Sequence, residues 1–306
     1  MKTSNSKELT NKTHFKKDIS FEETLAAIIN KIIARGDLPY ITVARQLALV
    51  DQLCTFPFGR YILERKGANG FWTDYLISYK NKKELLSPAA EFILTRSLIV
   101  LAHRERFRIY QNLLQNLIKE DVVLASLPCG LMRDLLTLDF SKISNYQLFG
   151  IDIDKESLML AKKLANKHKI KNTIFIQSDA WQVNFKEKFD AITSSGLNVY
   201  EPCPKRVRSL YEKFFTAIKP GGSLITSVLT YPPGESHKTD WNLERIPPED
   251  IILENVIYRD ILDLNWRNFR AADEIENEFK QVGFVNISIY FDENRIFPIV
   301  IAQKPL

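Results

Sequence analysis
The chain of 306 residues is long enough for one large domain or two ordinary ones, and its 45% hydrophobic and 26% charged residues are the proportions of a globular protein. Its net charge of +5 is unevenly spread: residues 1–118 hold 18 Lys and Arg against 11 Asp and Glu, which suits either an acidic partner such as RNA or a solvated mixed surface, the modest excess favouring the second. No run of 18 apolar residues exists to span a membrane, the polar start lacks the apolar stretch of a secretory signal, and Cys54, Cys129 and Cys203 are too few and scattered for a disulfide framework or a zinc site; a cytoplasmic protein with no metal is therefore the expectation.

Residues 1–19 read as a weakly ordered lead-in. FEETLAAIINKIIARG (21–36) places Leu25, Ile28, Ile29 and Ile32 at helical spacing, with acids early and Gly36 at its close. The helical pattern continues in LPYITVARQLALVDQL (38–53) and, after the FPFG turn (56–59), through YILERKG. It resumes in NGFWTDYLISYK (69–80), SPAAEFILTRSLIVLAHRERF (87–107) and RIYQNLLQNLIKE (108–120). Ser87 before Pro88 has the form of an N-cap followed by proline at the first helical position. No strand-period run interrupts residues 20–118, so an all-helical N-terminal region is predicted.

From Val122 the texture changes. Strand-length apolar runs, VVLASLP (122–128), QLFGIDID (147–154), NTIFIQSDA (172–180), KFDAITSSG (188–196) and GGSLITSVLTY (221–231), alternate with amphipathic segments. That alternation predicts an α/β fold: parallel crossovers and a doubly wound sheet covered on both faces. Residues 232–270, rich in Pro, Glu, Asp and Trp, break the rhythm and read as an inserted lid. AADEIENEFKQVG (271–283) is a helix closed by Gly283, and VNISIYF and IFPIVIAQK, separated by DENR, form an antiparallel hairpin.

The first strand ends on Cys129 and Gly130, and Asp152 closes the second strand 22 residues after that glycine. An apolar strand, a glycine turn, a helix and a second strand ending in a carboxylate make the geometry that grips an adenosine ribose: the acid accepts from the ribose hydroxyls and the glycine lets backbone approach. Asp152 could instead cap the helix that follows, but Asp154 is better placed for that task.

Taken whole, the order is glycine turn, Asp152, a third strand ending in Asp179, a fourth entered through Phe189-Asp190, then Lys219-Pro220-Gly221-Gly222, a fifth strand and a closing antiparallel pair. Over about residues 120–306 this resembles the class I S-adenosylmethionine-dependent methyltransferases. The resemblance implies a Rossmann-like, mostly parallel seven-stranded sheet with an antiparallel last strand in residues 119–306. It implies S-adenosyl-L-methionine as cofactor, S-adenosyl-L-homocysteine as product, and in-line methyl transfer to an oxygen or nitrogen of a small or medium acceptor.

It also implies roles for individual residues. Pro128, Cys129 and Gly130 would turn under the methionine moiety, with Cys129 a small buried hydrophobe rather than a nucleophile. Only Gly130 remains of the three glycines usual in this loop, and Ser126 stands where the family carries an acid. Asp134 either reaches the methionine amino group from the next helix or suits that helix's dipole. Asp152 would hold the ribose and Ile153 the adenine face. Asp179, with Ala180 and Trp181, would meet the adenine amine or simply close the strand. Ser195 and Gly196 would touch cofactor through backbone, and Lys219-Pro220-Gly221-Gly222 would turn into strand five. Asn198, Tyr200 and Glu201 are candidates to face the acceptor, and His237 is either a general base or an ordinary loop histidine.

The helical part and 232–270 are expected to cover the cofactor mouth, which favours a small-molecule acceptor over a polymer. Tyr40, Phe71, Trp72, Tyr231, Trp241 and Trp266 are candidates to line a pocket or fill a core. RNA as acceptor and a non-catalytic cofactor-binding scaffold stand as alternatives. A nicotinamide-dependent reductase would need a fuller glycine set in the first loop.

Overall fold
The computed structural model describes residues 20–80, 86–234, 238–264 and 266–306; the lead-in 1–19 and His237 lie outside the described residues. The chain forms two compact units. One comprises the described residues up to Leu101 and those in Ile246–Asn265; the other comprises Ala102–Arg245 and Trp266–Leu306.

The first unit is helical. Its opening helix, Phe21–Arg35, is set by a capping box: Glu23 N donates to Ser20 Oγ at 3.1 Å while Ser20 N donates to Glu23 Oε2 at 2.7 Å. The segment at 38–53 enters its helix late, at Val43, because Leu38–Ile41 forms a tight turn and Thr42 caps the helix from an extended conformation. Helices Pro57–Arg65 and Gly70–Ser78 follow, and Trp72 lies within 5.0–5.5 Å of the rings of Phe58, Tyr61, Phe71 and Tyr75. Ser87 caps the short helix Pro88–Glu91, which runs into a π-helical turn, Phe92–Arg96. Residues 246–265 add the helix Pro248–Glu254 and a second π-helical stretch, Asn255–Ile261.

The sequence places a helix boundary near 107/108. The structure places it at Ser97, and Leu98–Gln115 is one continuous helix. The cause is distant in sequence. Ser97 is extended (ψ 124°), and the Glu254 carboxylate accepts from Leu98 N at 3.2 Å, Ile99 N at 2.9 Å and Ser97 Oγ at 3.0 Å. A carboxylate that takes the first free amides of a helix starts that helix. The unit boundary falls inside it, between Leu101 and Ala102.

The second unit is a seven-stranded sheet: β1 (Val122–Ser126), β2 (Tyr146–Asp152), β3 (Thr173–Gln177), β4 (Phe189–Ser194), β5 (Ile218–Ser227), β6 (Val285–Tyr290) and β7 (Ile299–Gln303), in spatial order β3-β2-β1-β4-β5-β7-β6. The first five pair in parallel, and β7 runs antiparallel between β5 and β6. Strand residues alternate between two cores, as the period of two requires. Leu124, Leu148, Ala191, Ile225 and Ile299 pack with Tyr110, Leu114, Leu158 and Ala161; Ala125, Phe149, Ile192, Leu224 and Val300 pack with Val207, Phe214, Ile275 and Phe279.

Lys219-Pro220-Gly221-Gly222 is not a turn before β5 but an irregular stretch within it. Phe189 pairs with Ile218, yet two residues on Ala191 pairs with Ser223, so the extra residues bulge out. Gly221 sits at φ 76°, and a Cβ on Gly222 would lie 2.7 Å from the Asp190 carbonyl oxygen. The hairpin holds, but its connection spans 291–298 rather than the four residues DENR, organised by Asp292, which accepts from the amides of Asn294, Ile296 and Phe297. Gly283 ends the helix Ala272–Val282 at φ 110°. Among the described residues no helix is long and apolar enough to cross a membrane.

Asp154 caps the helix Lys155–Lys167, accepting from Glu156 N at 3.0 Å and Ser157 N at 3.3 Å. Asp154→Ala is therefore expected to lower stability by about 1 kcal/mol, read as a lower urea midpoint with an unchanged denaturant slope.

Candidate functional site
The strand order reverses at β1, whose neighbours β2 and β4 leave it in opposite sequence directions, and ligands of open α/β sheets bind at the carboxyl ends beside such a point. Three strand ends meet there: Ser126, Asp152 and Ser194.

Asp152 is 7% exposed. Its Oδ2 accepts from Gly130 N at 2.8 Å and its Oδ1 from Asp154 N at 2.9 Å, so the acid ties the first loop to the end of β2. Burial raises the carboxyl above its ordinary range, against these amide bonds, which favour the charged form. The loop is a tight turn, with Gly130 at φ 48°, Met132 at φ 57°, and Met132 N donating to the Cys129 carbonyl at 2.6 Å. Pro128 enters it. Cys129 is buried and its thiol is pushed up by burial. The Ile153 side chain, 49% exposed, stands open beside Asp152.

Asp134, on the helix Arg133–Leu136, points back at the sheet. Its Oδ2 accepts from Ser126 Oγ at 2.9 Å and Thr193 Oγ1 at 2.6 Å. A carboxylate thus stands between the ends of β1 and β4, with Ser126 as its donor rather than a substitute acid. Burial raises the Asp134 carboxyl, opposed by the two hydroxyls and by amides of the helix start. Thr193 escapes sequence reasoning, because only the β1–β4 pairing, Ser126 to Thr193, puts its hydroxyl here.

Asp179 Oδ1 accepts from Trp181 N at 3.0 Å and caps the one-turn helix Ala180–Gln182. Trp181 donates Nε1 to the Arg206 carbonyl at 2.9 Å, with the Arg206 guanidinium 4.8 Å over its ring. Beyond β4, Gly196 adopts φ 84° with open space where a Cβ would stand. Asn198 is buried; its Nδ2 donates to the Tyr211 hydroxyl at 2.9 Å and its Oδ1 has no partner. The Tyr200 hydroxyl, raised by burial, bonds with Trp266. The Glu201 carboxylate accepts from Cys203 N at 3.0 Å and Arg206 Nε at 2.7 Å, which engages it in an ion pair. Ser126, Cys129, Gly130, Asp134 and Asp152 form one connected set, and Asn198, Tyr200 and Glu201 follow β4 as a second.

A family model described as a methyltransferase domain matches residues 118–273. Among solved structures, a possible exported protein from Bordetella parapertussis is 35% identical, with a TM-score of 0.89, 94% of this chain and 98% of that chain being covered. The S-adenosylmethionine-dependent methyltransferase SibL in its apo form shares the fold at 15% identity and a TM-score of 0.53, over 94% of this chain and 76% of that chain. Magnesium protoporphyrin IX methyltransferase ChlM from Synechocystis PCC 6803, with bound SAH, does so at 13% identity and a TM-score of 0.51, over 77% and 94%. No curated protein sequence matches the chain.

Proposed function
The chain belongs to the class I methyltransferase family, and on that premise we propose that it moves a methyl group from S-adenosylmethionine to an oxygen or nitrogen of a small or medium acceptor. The observation that carries this reading is the buried Asp152 carboxylate, joined to the Gly130 amide at the reversal of strand order.

The residues present suit a nucleoside with a cationic amino-acid tail. Asp152 keeps lone pairs beyond its two amide bonds and accepts the ribose hydroxyls. Asp134, oriented by Ser126 and Thr193, receives the methionine ammonium in place of the acid that β1 lacks. Ile153 covers one adenine face, and Asp179, Ala180 and Trp181 border its edge. Pro128, Cys129, Ser195 and Gly196 offer backbone to the ligand.

The cofactor brings a methyl group on a cationic sulfur, an electrophile that needs alignment more than activation. The protein's part is to hold both reactants in line and to exclude water. Asn198 and Tyr200, just beyond β4, are the side chains proposed to face the acceptor. Calorimetric titration is the test: S-adenosylhomocysteine is expected to bind with one-to-one stoichiometry and NADH not at all. NADH binding without S-adenosylhomocysteine binding would overturn the reading.

A further inference from the structure
Arg106 is a cation without a countercharge. It lies on the helix Leu98–Gln115, one turn before Tyr110, so both side chains leave the same face. Arg106 is 5% exposed. Its Nη1 donates to Ser227 Oγ at 3.2 Å, its guanidinium lies 4.7 Å over the Phe297 ring, and no other hydrogen bond or ion pair joins it among the described residues. A guanidinium carries five N–H donors. Burying a charge costs several kcal/mol unless a partner offsets it. The nearest carboxylate that acts on it, Asp292, is turned to three backbone amides, with Phe297 N at 2.6 Å the shortest.

The location gives this cation a use. Ser227 is the last residue of β5, and its neighbour Thr226 pairs with Ser194, the last residue of β4. Tyr110 donates its hydroxyl to the Ser194 carbonyl at 3.1 Å. Arg106 and Tyr110 therefore sit at the carboxyl edge over β4 and β5, on the far side of β4 from Asp152 and Gly130. That is where an acceptor stands if the nucleoside occupies β1 and β2. Aromatic groups gather round it: His103 is 4.5 Å and Trp266 6.2 Å from the Phe297 ring, each edge-on, and Tyr200 is near enough to act on the Arg106 charge.

We propose that Arg106 is the acceptor-recognition residue of this site and that the methyl acceptor is a small aromatic or apolar molecule bearing a carboxylate, which the guanidinium takes as a handle. This rests on the methyltransferase reading. A single guanidinium matches one negative charge, so a carboxylate is selected over a phosphate monoester, whose second charge has no partner here. The carboxylate orients the molecule, and the nucleophile is a separate oxygen or nitrogen.

The test is titration of benzoate, indole-3-acetate and hexanoate into the full chain saturated with S-adenosylhomocysteine, beside their neutral amides and phenyl phosphate. At least one carboxylate is expected to bind at least about tenfold more tightly than its amide and than phenyl phosphate, a difference of about 1.4 kcal/mol. Arg106→Gln is expected to abolish that preference while S-adenosylhomocysteine affinity is retained. Equal binding of acids and amides, binding of neither, a preference for phenyl phosphate, or an unchanged preference in Arg106→Gln each overturns the proposal. If that variant does not fold, the acid-against-amide comparison on the unaltered chain decides. The comparison is repeated without the nucleoside, so that failure to bind S-adenosylhomocysteine counts against the methyltransferase reading and the acid preference is judged separately.

Discussion

Asp152→Ala is expected to weaken S-adenosylhomocysteine binding about 100-fold. Two losses add. The carboxylate's hydrogen bonds to the ribose are charge-assisted, each worth about 1.5–3 kcal/mol, and one such bond fully lost already approaches the 2.7 kcal/mol of a 100-fold change. The second loss is positional, because the same carboxylate holds Gly130 N and Asp154 N, and without it the first loop is no longer tied to β2. Asp152→Asn separates the two. It keeps a carbonyl oxygen able to accept one amide, so it is expected to recover part of the affinity. Calorimetry with S-adenosylhomocysteine on both variants checks this. An alanine variant that binds as tightly as the parent would mean that Asp152 serves the loop alone.

The largest expected effect on stability comes from the helical unit. Glu254 is buried and accepts from Ser97 Oγ, Leu98 N and Ile99 N, while Ser97 Oγ also lies 2.9 Å from the Tyr258 hydroxyl. Glu254→Ala strands these donors in the interior and removes the group that starts a helix. A buried donor left unmade costs about 1–3 kcal/mol, so a loss of about 3–5 kcal/mol is expected in urea denaturation.

The same residue gives a pH dependence. Burial pushes its carboxyl from 4.5 up to about 8, with the Asp250 charge adding to the rise and the amide bonds opposing it. A carboxyl raised on folding is protonated in the folded chain while the unfolded chain has already lost its proton. The folded state therefore binds more protons between these two values, and stability falls as pH climbs through that window. The contribution is whole below pH 4.5 and gone above about 8. Its slope is at most about 1.4 kcal/mol per pH unit. Urea midpoints of the parent chain are expected to drop from pH 6 to pH 9, and Glu254→Gln, which cannot titrate, to flatten that drop. Parallel curves for the two proteins would assign the slope to other groups.

Features that depend on neighbours in sequence were legible. The alternation of strands and helices, the carboxylate ending β2, the Asp154 cap and the Gly283 stop each follow from a local pattern and its physical cost. What escaped depends on chain segments that meet only in the fold. The helix start at Leu98 is set by Glu254, more than 150 residues away, so no run in 87–120 could reveal it. The bulge at Gly221 and Gly222 is a mismatch of register between β4 and β5, and a lone strand carries no register. The first loop looked eroded because a glycine count is one-dimensional. In space, Asp134 reaches the ends of β1 and β4 from the next helix, joined by the Thr193 hydroxyl. Arg106 had no motif at all; on a helix rich in charge it reads as a surface residue until β5 and Phe297 close around it.

The insertion of β7 between β5 and β6 also divides the sheet in time. Ser126 pairs with Gly150 and Gly150 with Phe175, separations of 24 and 25 residues, whereas Ser223 pairs with Gln303 across 80 residues. Closing the longer loop costs only about 1 kcal/mol more in chain entropy, but contacts at such separation slow the search for the native arrangement. The half of the sheet that carries Asp152 can thus zip early from nearby sequence. The half that carries Ser227 waits for a remote strand, and the two sides of the site are completed by kinetically different events.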